Sequence, residues 1–106
     1  FNTKIVDQWE DVSPENVEFI DYHKVSGSLK LRHWQEGDSF QPISFKHTKK
    51  LSDFFIDKKV PNFKKHQIPI LTDEENIIWI CGQRLSDRYK IDTNTKNILR
   101  LVYEEL

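Results

Sequence analysis

The sequence predicts a β-rich α+β fold: a small mixed or antiparallel sheet sandwich with one main amphipathic helix. Three observations lead there. Short apolar stretches, alternating or unbroken, recur between turn residues along most of the chain. One stretch, Thr48 to Lys59, switches to the period of a helix. The length of 106 residues, with 37% hydrophobic and 12% aromatic residues, suits one ordinary core and argues against disorder. Residues 1–106 are therefore read as a single domain.

The elements follow in order. Thr3 to Trp9 reads as a short strand with Ile5, Val6 and Trp9 as its apolar members. Ser13-Pro14-Glu15-Asn16 is a turn signal, and Val17 to Asp21 a second strand. Val25-Ser26-Gly27-Ser28 turns the chain, and Leu29 to His33 alternates as a half-buried strand does. Glu36-Gly37-Asp38-Ser39 is the next turn, after which Pro42 keeps the backbone extended.

In the helical segment Leu51, Phe54 and Phe55 form one face. Thr48 is the expected N-cap and Pro61 the stop. Asn62 to His66 allows one more helical turn. Ile68 to Leu71 reads as a strand starting at an edge that tolerates Pro69. Asp73-Glu74-Glu75-Asn76 is a hairpin turn. Ile77 to Cys81 is apolar throughout and so should be buried on both faces, with Gly82 ending it. Tyr89–Ile91 and Ile98–Tyr103 are the last expected strands, around the turn Asp92-Thr93-Asn94-Thr95.

Composition excludes several classes. No apolar run is longer than Ile77–Cys81, far short of a membrane span. A lone cysteine, Cys81, rules out an internal disulfide and a cysteine-built metal site. The glycines, Gly27, Gly37 and Gly82, are too dispersed for a phosphate cradle. With no methionine and a start at Phe1, the chain reads as a piece of a longer protein; its charged first residues do not resemble a signal peptide.

The net charge of −1 conceals an uneven distribution. Residues 1–29 carry two basic and six acidic side chains, a balance of −4. Residues 30–66 carry nine and four, a balance of +5, and residues 67–106 five and seven, a balance of −2. A basic middle between acidic ends is the footprint of a polyanion partner or of a solvated helix face.

No catalytic set emerges. Asp53 and Asp57 lie i, i+4 and suit solvated pairing with Lys49, Lys50 and Lys58 better than acid–base work. His23, His33, His47 and His66 lack metal-ligand spacing. Cys81 sits in an apolar strand and should pack as a small hydrophobe. The basic set says more: Lys46, Lys49, Lys50, Lys58, Lys59, Lys64 and Lys65 fall within twenty residues. A helix followed by a turn can present such cations to phosphates on one face. Phe54 and Phe55 are needed for the core, so only Phe63 is free to stack on bases. This pattern predicts backbone and shape reading, as in double-helical RNA recognition.

The run Leu31-Arg32-His33-Trp34-Gln35-Glu36-Gly37-Asp38-Ser39-Phe40-Gln41-Pro42, the block KKLSDFFIDKKVP at 49–61, Pro69, and Ile78-Trp79-Ile80-Cys81-Gly82-Gln83-Arg84 together resemble the C-terminal domain of tRNA(Ile)-lysidine synthase. The resemblance spans residues 17–103 in order and spacing. Three positions depart from the family: Ser39 and Lys65 replace usual arginines, and His47 replaces a common glycine. Ser39 removes a possible phosphate contact, and Lys65 keeps the charge without bidentate geometry.

The resemblance implies a fold similar to a module of the phenylalanyl-tRNA synthetase β chain. It also implies a parent ligase that uses ATP to join lysine to the wobble cytidine of a minor isoleucine tRNA, so that the codon read changes from AUG to AUA. The ATP loop of that family lies in its N-terminal domain, so this part would be non-catalytic and hold no cofactor or metal. Its implied partner is tRNA, gripped on the acceptor-stem side, in the cytoplasm, with no membrane and with a homodimer possible through the parent. The residues matching the family's basic positions are Arg32, Lys49, Lys50, Lys58, Lys59, Lys65 and Arg84. Gly37 and Asp38 would form a structural turn, with the Asp38 carboxylate accepting backbone N–H groups. Leu51, Phe54, Phe55, Ile56, Trp79 and Ile80 read as core, and Trp34 as packing beside the turn. The competing readings are a structural or dimerisation domain without RNA contact and, last, an independent hydrolase.

Overall fold

A computed structural model describes residues 1–9 and 14–104. The order is β1 (Asn2–Val6), β2 (Val17–Asp21), a 3-10 turn (Tyr22–Lys24), β3 (Lys30–Arg32), β4 (Ser39–Phe40), β5 (Lys49–Lys50), α1 (Leu51–Asp57), α2 (Asn62–Lys65), β6 (Ile70–Thr72), β7 (Ile77–Ile80), β8 (Arg84–Leu85), a second 3-10 turn (Asp87–Tyr89) and β9 (Ile98–Val102). The strands form two antiparallel sheets, β1-β9-β2 and β3-β6-β7-β8, and a short β4-β5 ladder. The fold is thus α+β and strand-rich, with one main helix, as the sequence predicts.

Strand alternation builds the layers. In the β6–β7 pair, Leu71 stands opposite Trp79 and Ile70 opposite Ile80. Leu71 and Trp79 face one way, into a cluster with Ile20 of β2, Leu99 and Leu101 of β9, Leu85 and Tyr89. Ile70, Ile77 and Ile80 join Leu51, Phe54 and Phe55 of α1, with Phe40 and Ile68. The central strands therefore contact apolar layers on both sides, which is why β7 carries no polar residue. A register shift between Leu71 and Thr72 makes Ile78 the extra residue of a bulge, and it too is fully buried. Gly82 ends the strand at φ +75°, a conformation that costs glycine little.

Several expectations are corrected. The first strand ends at Val6, because β9 begins at Ile98 and offers no partner beyond it; Trp9 is exposed. Ser13 of the expected turn lies outside the described residues, while the Pro14 carbonyl accepts from the Val17 N–H at 2.9 Å. The helix begins at Leu51 rather than after a Thr48 cap. Lys49 and Lys50 pair with Phe40 and Ser39, and the Leu51 N–H donates to the Asp38 carbonyl at 2.8 Å. Strand pairing with a distant segment outweighs a local cap. Ile56, read as core, points outward and is 71% exposed. Leu31 is exposed on the edge strand β3, whereas Leu29 packs on the first cluster. β6 starts at Ile70 and lies inside its sheet, not at an edge.

Tyr89–Ile91 is not a strand. Ser86 caps a 3-10 turn there, its hydroxyl accepting from the Arg88 N–H at 3.3 Å, and the turn drives Tyr89 into the core. The Tyr89 hydroxyl donates to Asp73 Oδ2 at 2.6 Å. Asp73 also accepts from the N–H groups of Ser26, Glu75 and Asn76 at 2.8–2.9 Å. Burial pushes the Asp73 carboxyl up, but these four donors outweigh it and hold it below the usual range. Burial, then the bond to Asp73, raises the Tyr89 hydroxyl above its ordinary range.

Candidate nucleic-acid interface

The helix block ends in an arrangement that presents cations. Lys58 is the C-cap of α1. The Lys59 N–H donates to the Ile56 carbonyl at 3.0 Å and the Val60 N–H to Phe55 at 2.9 Å, the bond pair of a Schellman turn. Such a turn needs a left-handed residue at the position after the cap, usually glycine. Here it is Lys59, at φ +56°. A side chain in that conformation costs about 1 kcal/mol. Val60 packs back onto the α1 cluster and fixes the chain's exit.

Pro61 then starts α2, its carbonyl accepting from the Lys64 and Lys65 N–H groups at 2.9 and 3.1 Å. Lys64 and Lys65 occupy the last turn of α2, and Phe63 in the same helix is 71% exposed. Lys65 Nζ sits 4.4 Å from the Trp34 ring centroid, and the His66 ring meets Trp34 edge-on at 5.5 Å. Trp34 is half-buried against the α1 cluster, with Nε1 enclosed and without an acceptor. Lys65 is thus oriented by an aromatic ring and not by a carboxylate. Among the described residues, Lys50, Lys58, Lys59, Lys64 and Lys65 form no ion pair.

The other residues singled out in the sequence each have a partner within the protein. Lys49, on β5, pairs with Asp57 at the far end of α1. Arg32 makes a bidentate pair with Asp38: Nη1 to Oδ2 at 2.8 Å and Nη2 to Oδ1 at 3.0 Å. Asp38 Oδ2 also accepts from the Gln35 N–H at 2.9 Å, and Gly37 makes the turn at φ +92°. Arg84 Nη2 donates to the Ile43 carbonyl at 2.8 Å, and its Nε is enclosed without a partner. Arg32 and Arg84 stand on opposite edge strands of the four-stranded sheet, three strand spacings or about 14 Å apart. Lys49–Lys50 and Lys58–Lys59 flank a seven-residue helix, about 10 Å long. The structure therefore gathers Lys58, Lys59 and Lys65 along one connected segment, with Lys50 at the start of the same helix.

Two residues escaped sequence reasoning. Lys64 was counted in the basic run but not among the site residues, though it shares the last turn of α2 with Lys65. Phe45 is 47% exposed, with Lys49 Nζ at 5.9 Å and the Arg84 guanidinium at 5.5 Å from its centroid. Only the fold brings those cations to that ring; the single local signal was an aromatic beside Lys46.

Cys81 is buried, and burial pushes its thiol up to about 12, which leaves no thiolate for catalysis at neutral pH. Among the described residues no group of three or more His, Cys, Asp or Glu side chains is arranged to hold a metal, and no helix is long and apolar enough to cross a membrane.

The chain is 37% identical over 89 residues to a tRNA(Ile)-lysidine synthase of Caldanaerobacter subterraneus subsp. tengcongensis, covering 84% of the chain and 19% of the relative. It is 40% identical over 90 residues to that of Clostridium acetobutylicum, covering 85% and 20%. The chain spans about a fifth of the length of the curated relatives it matches. Its fold is similar to a crystal structure of a TilS C-terminal domain, with a TM-score of 0.77 at 22% identity over 97% of this chain and 83% of the other. It is also similar to an N-terminal fragment of the phenylalanyl-tRNA synthetase β-subunit from Pyrococcus horikoshii, with a TM-score of 0.62 at 18% identity over 79% of this chain and 26% of the other. Residues 29–103 match the TilS substrate C-terminal domain, from β3 through β9, and the chain belongs to that family.

Proposed function

We propose that residues 1–106 act as one non-catalytic domain of a longer tRNA(Ile)-lysidine synthase and bind tRNA on its acceptor-stem side through α1, α2 and the segment between them. The observation that carries this reading is Lys59. The α1 turn would be more stable with glycine, yet it holds a lysine at φ +56° among Lys58, Lys64 and Lys65, none of which meets a carboxylate among the described residues. Backbone strain kept to present a cation is typical of functional surfaces. Cations without internal partners are what phosphate contact requires.

The names of the relatives support tRNA(Ile) as the substrate of the whole protein. ATP and lysine would be handled by a part of the parent other than this one, and the cytoplasm, where tRNA is modified, is the proposed compartment. A homodimer would form through the parent's other regions.

The test is binding to an RNA hairpin that mimics an acceptor stem, across a salt series. The expected result is affinity that falls linearly on a log–log scale with salt, with a slope near −4 for the unpaired lysines. A flat response, or no binding at low salt, rejects the proposal in favour of a structural or dimerisation role.

A further inference from the structure

Among the described residues Phe1, Trp9, Tyr22, Phe45 and Phe63 are exposed aromatic side chains, and of these Phe45 has two cations, Lys49 and Arg84, beside its ring. It sits on a loop fixed from several directions. Its N–H donates to the Pro42 carbonyl at 2.9 Å, and its carbonyl accepts from Gln41 Nε2 at 2.7 Å. The Ile43 N–H donates to the Leu85 carbonyl at 2.9 Å, and Arg84 Nη2 donates to the Ile43 carbonyl at 2.8 Å. The Ser44 N–H donates to Asp87 Oδ1 at 3.1 Å, with Ser44 itself at φ +71°. A loose loop would let the ring fold down onto apolar surface. This loop holds it out, 47% exposed, with Arg84 and Lys49 beside it.

From this arrangement we infer that the Phe45 loop is a seat for an unpaired nucleotide next to an RNA duplex, its base stacking on Phe45 and its phosphate meeting Lys49 and Arg84. The inference rests on the RNA-binding reading above and narrows the ligand. A duplex backbone needs only cations. Paired bases in an RNA helix stack on one another and show only their edges in the grooves, so an exposed ring gains nothing from their faces. An unstacked base does offer its face, and stacking on an aromatic is worth about 1–3 kcal/mol, or roughly 5- to 150-fold in affinity. The bond to the Ile43 carbonyl uses Nη2 of Arg84, and a guanidinium has further donors with which to contact phosphate while it stacks. The loop is already ordered, so little conformational freedom is lost on binding.

Two hairpin RNAs with the same stem test this, one blunt and one with a short unpaired 3′ extension, each titrated against the chain by fluorescence anisotropy. The extension is expected to raise affinity about tenfold. Phe45→Ala should erase that gain and leave blunt-hairpin binding unchanged, Phe45→Trp should restore it, and Phe63→Ala should keep it. The inference is overturned if the extension gives no gain, if Phe45→Ala weakens both RNAs equally, or if Phe63 and not Phe45 controls the gain. In those cases blunt-hairpin binding still stands for the broader reading. Failure of the unmodified chain to bind either RNA removes both.

Discussion

Arg32 and Arg84 lie on the edge strands of the four-stranded sheet, and each guanidinium is bonded to the protein itself, Arg32 to Asp38 and Arg84 to the Ile43 carbonyl. Lys58, Lys59, Lys64 and Lys65 follow α1 and meet no carboxylate among the described residues. All six are cations, and the family motifs rank Arg32, Arg84, Lys58, Lys59 and Lys65 alike. Their surroundings separate them. The arginines' planar forks suit fixed carboxylates and carbonyls and organise loops. The lysines sit at a helix end and on the short helix after it, and among the described residues none forms an ion pair, so they remain available to an outside anion. The difference teaches that a basic residue's contribution to binding is read from what already satisfies it.

The largest expected effect tests the lysine side of this contrast. Replacing Lys58, Lys59, Lys64 and Lys65 together with alanine should weaken RNA-hairpin binding by about 100-fold at low salt and flatten the salt slope by about 4. The melting temperature should fall by only a few degrees, through the lost Lys65–Trp34 contact, because none of the four is in an ion pair among the described residues. Unfolding of this variant would break the contrast.

The arginine side predicts the reverse. Asp38→Ala leaves a three-quarters buried Arg32 without its bidentate partner and frees the Gln35 N–H. Stability should fall by about 2 kcal/mol, or roughly 10 °C in melting temperature. The salt slope of RNA binding should stay the same. A steeper or shallower slope would put Arg32 in the interface after all.

Acid separates the regions again. Asp73 is held low by Tyr89 and three backbone N–H groups despite its burial, and Asp87 is held low by the Ser44 N–H and Lys90 despite the opposing effect of burial. A carboxyl whose folded pKa lies below its unfolded value adds stability above the unfolded pKa and loses it as pH falls through the folded one. Thermal stability should therefore decline below about pH 4. Glu18 is raised by burial and so opposes this trend, adding stability at low pH and losing it as pH rises through the window above its ordinary value. Asp73→Asn should reduce the acid slope in a melting series from pH 5 to pH 2. An unchanged slope would show that other carboxylates govern acid unfolding.

The smallest effect is the most pointed. Lys59→Gly relieves the left-handed strain and should stabilise the chain by about 0.5–1 kcal/mol, while RNA affinity drops a few-fold. Denaturant melts and the hairpin titration read the two quantities separately. Loss of stability, or no change in affinity, would remove the argument that strain is retained there for binding.

Much of the architecture was legible. The apolar periods located β2, α1's buried face, β7 and β9, because those segments are long enough to show a repeat. The family motifs located the basic helix block. Two-residue strands were not legible: β4, β5 and β8 carry no period, and they exist only because distant segments meet. The same meeting moved the helix start from Thr48 to Leu51 and left Ile56 in solvent. It also folded Tyr89 onto Asp73 instead of into a strand.

By itself, the sequence determined which residues are apolar, where turns must fall, where positive charge concentrates, and to which family residues 29–103 belong. Tertiary structure alone decided which cations have a partner within the protein, and that an exposed Phe45 stands beside two of them. Arg32 meets Asp38 through a local turn, but Lys49 is turned toward Phe45 and Asp57, and Arg84 reaches Ile43 across 41 positions of chain. Charge and apolarity belong to a residue type. Availability for binding depends on neighbours, and for a small sheet protein most neighbours come from elsewhere in the chain.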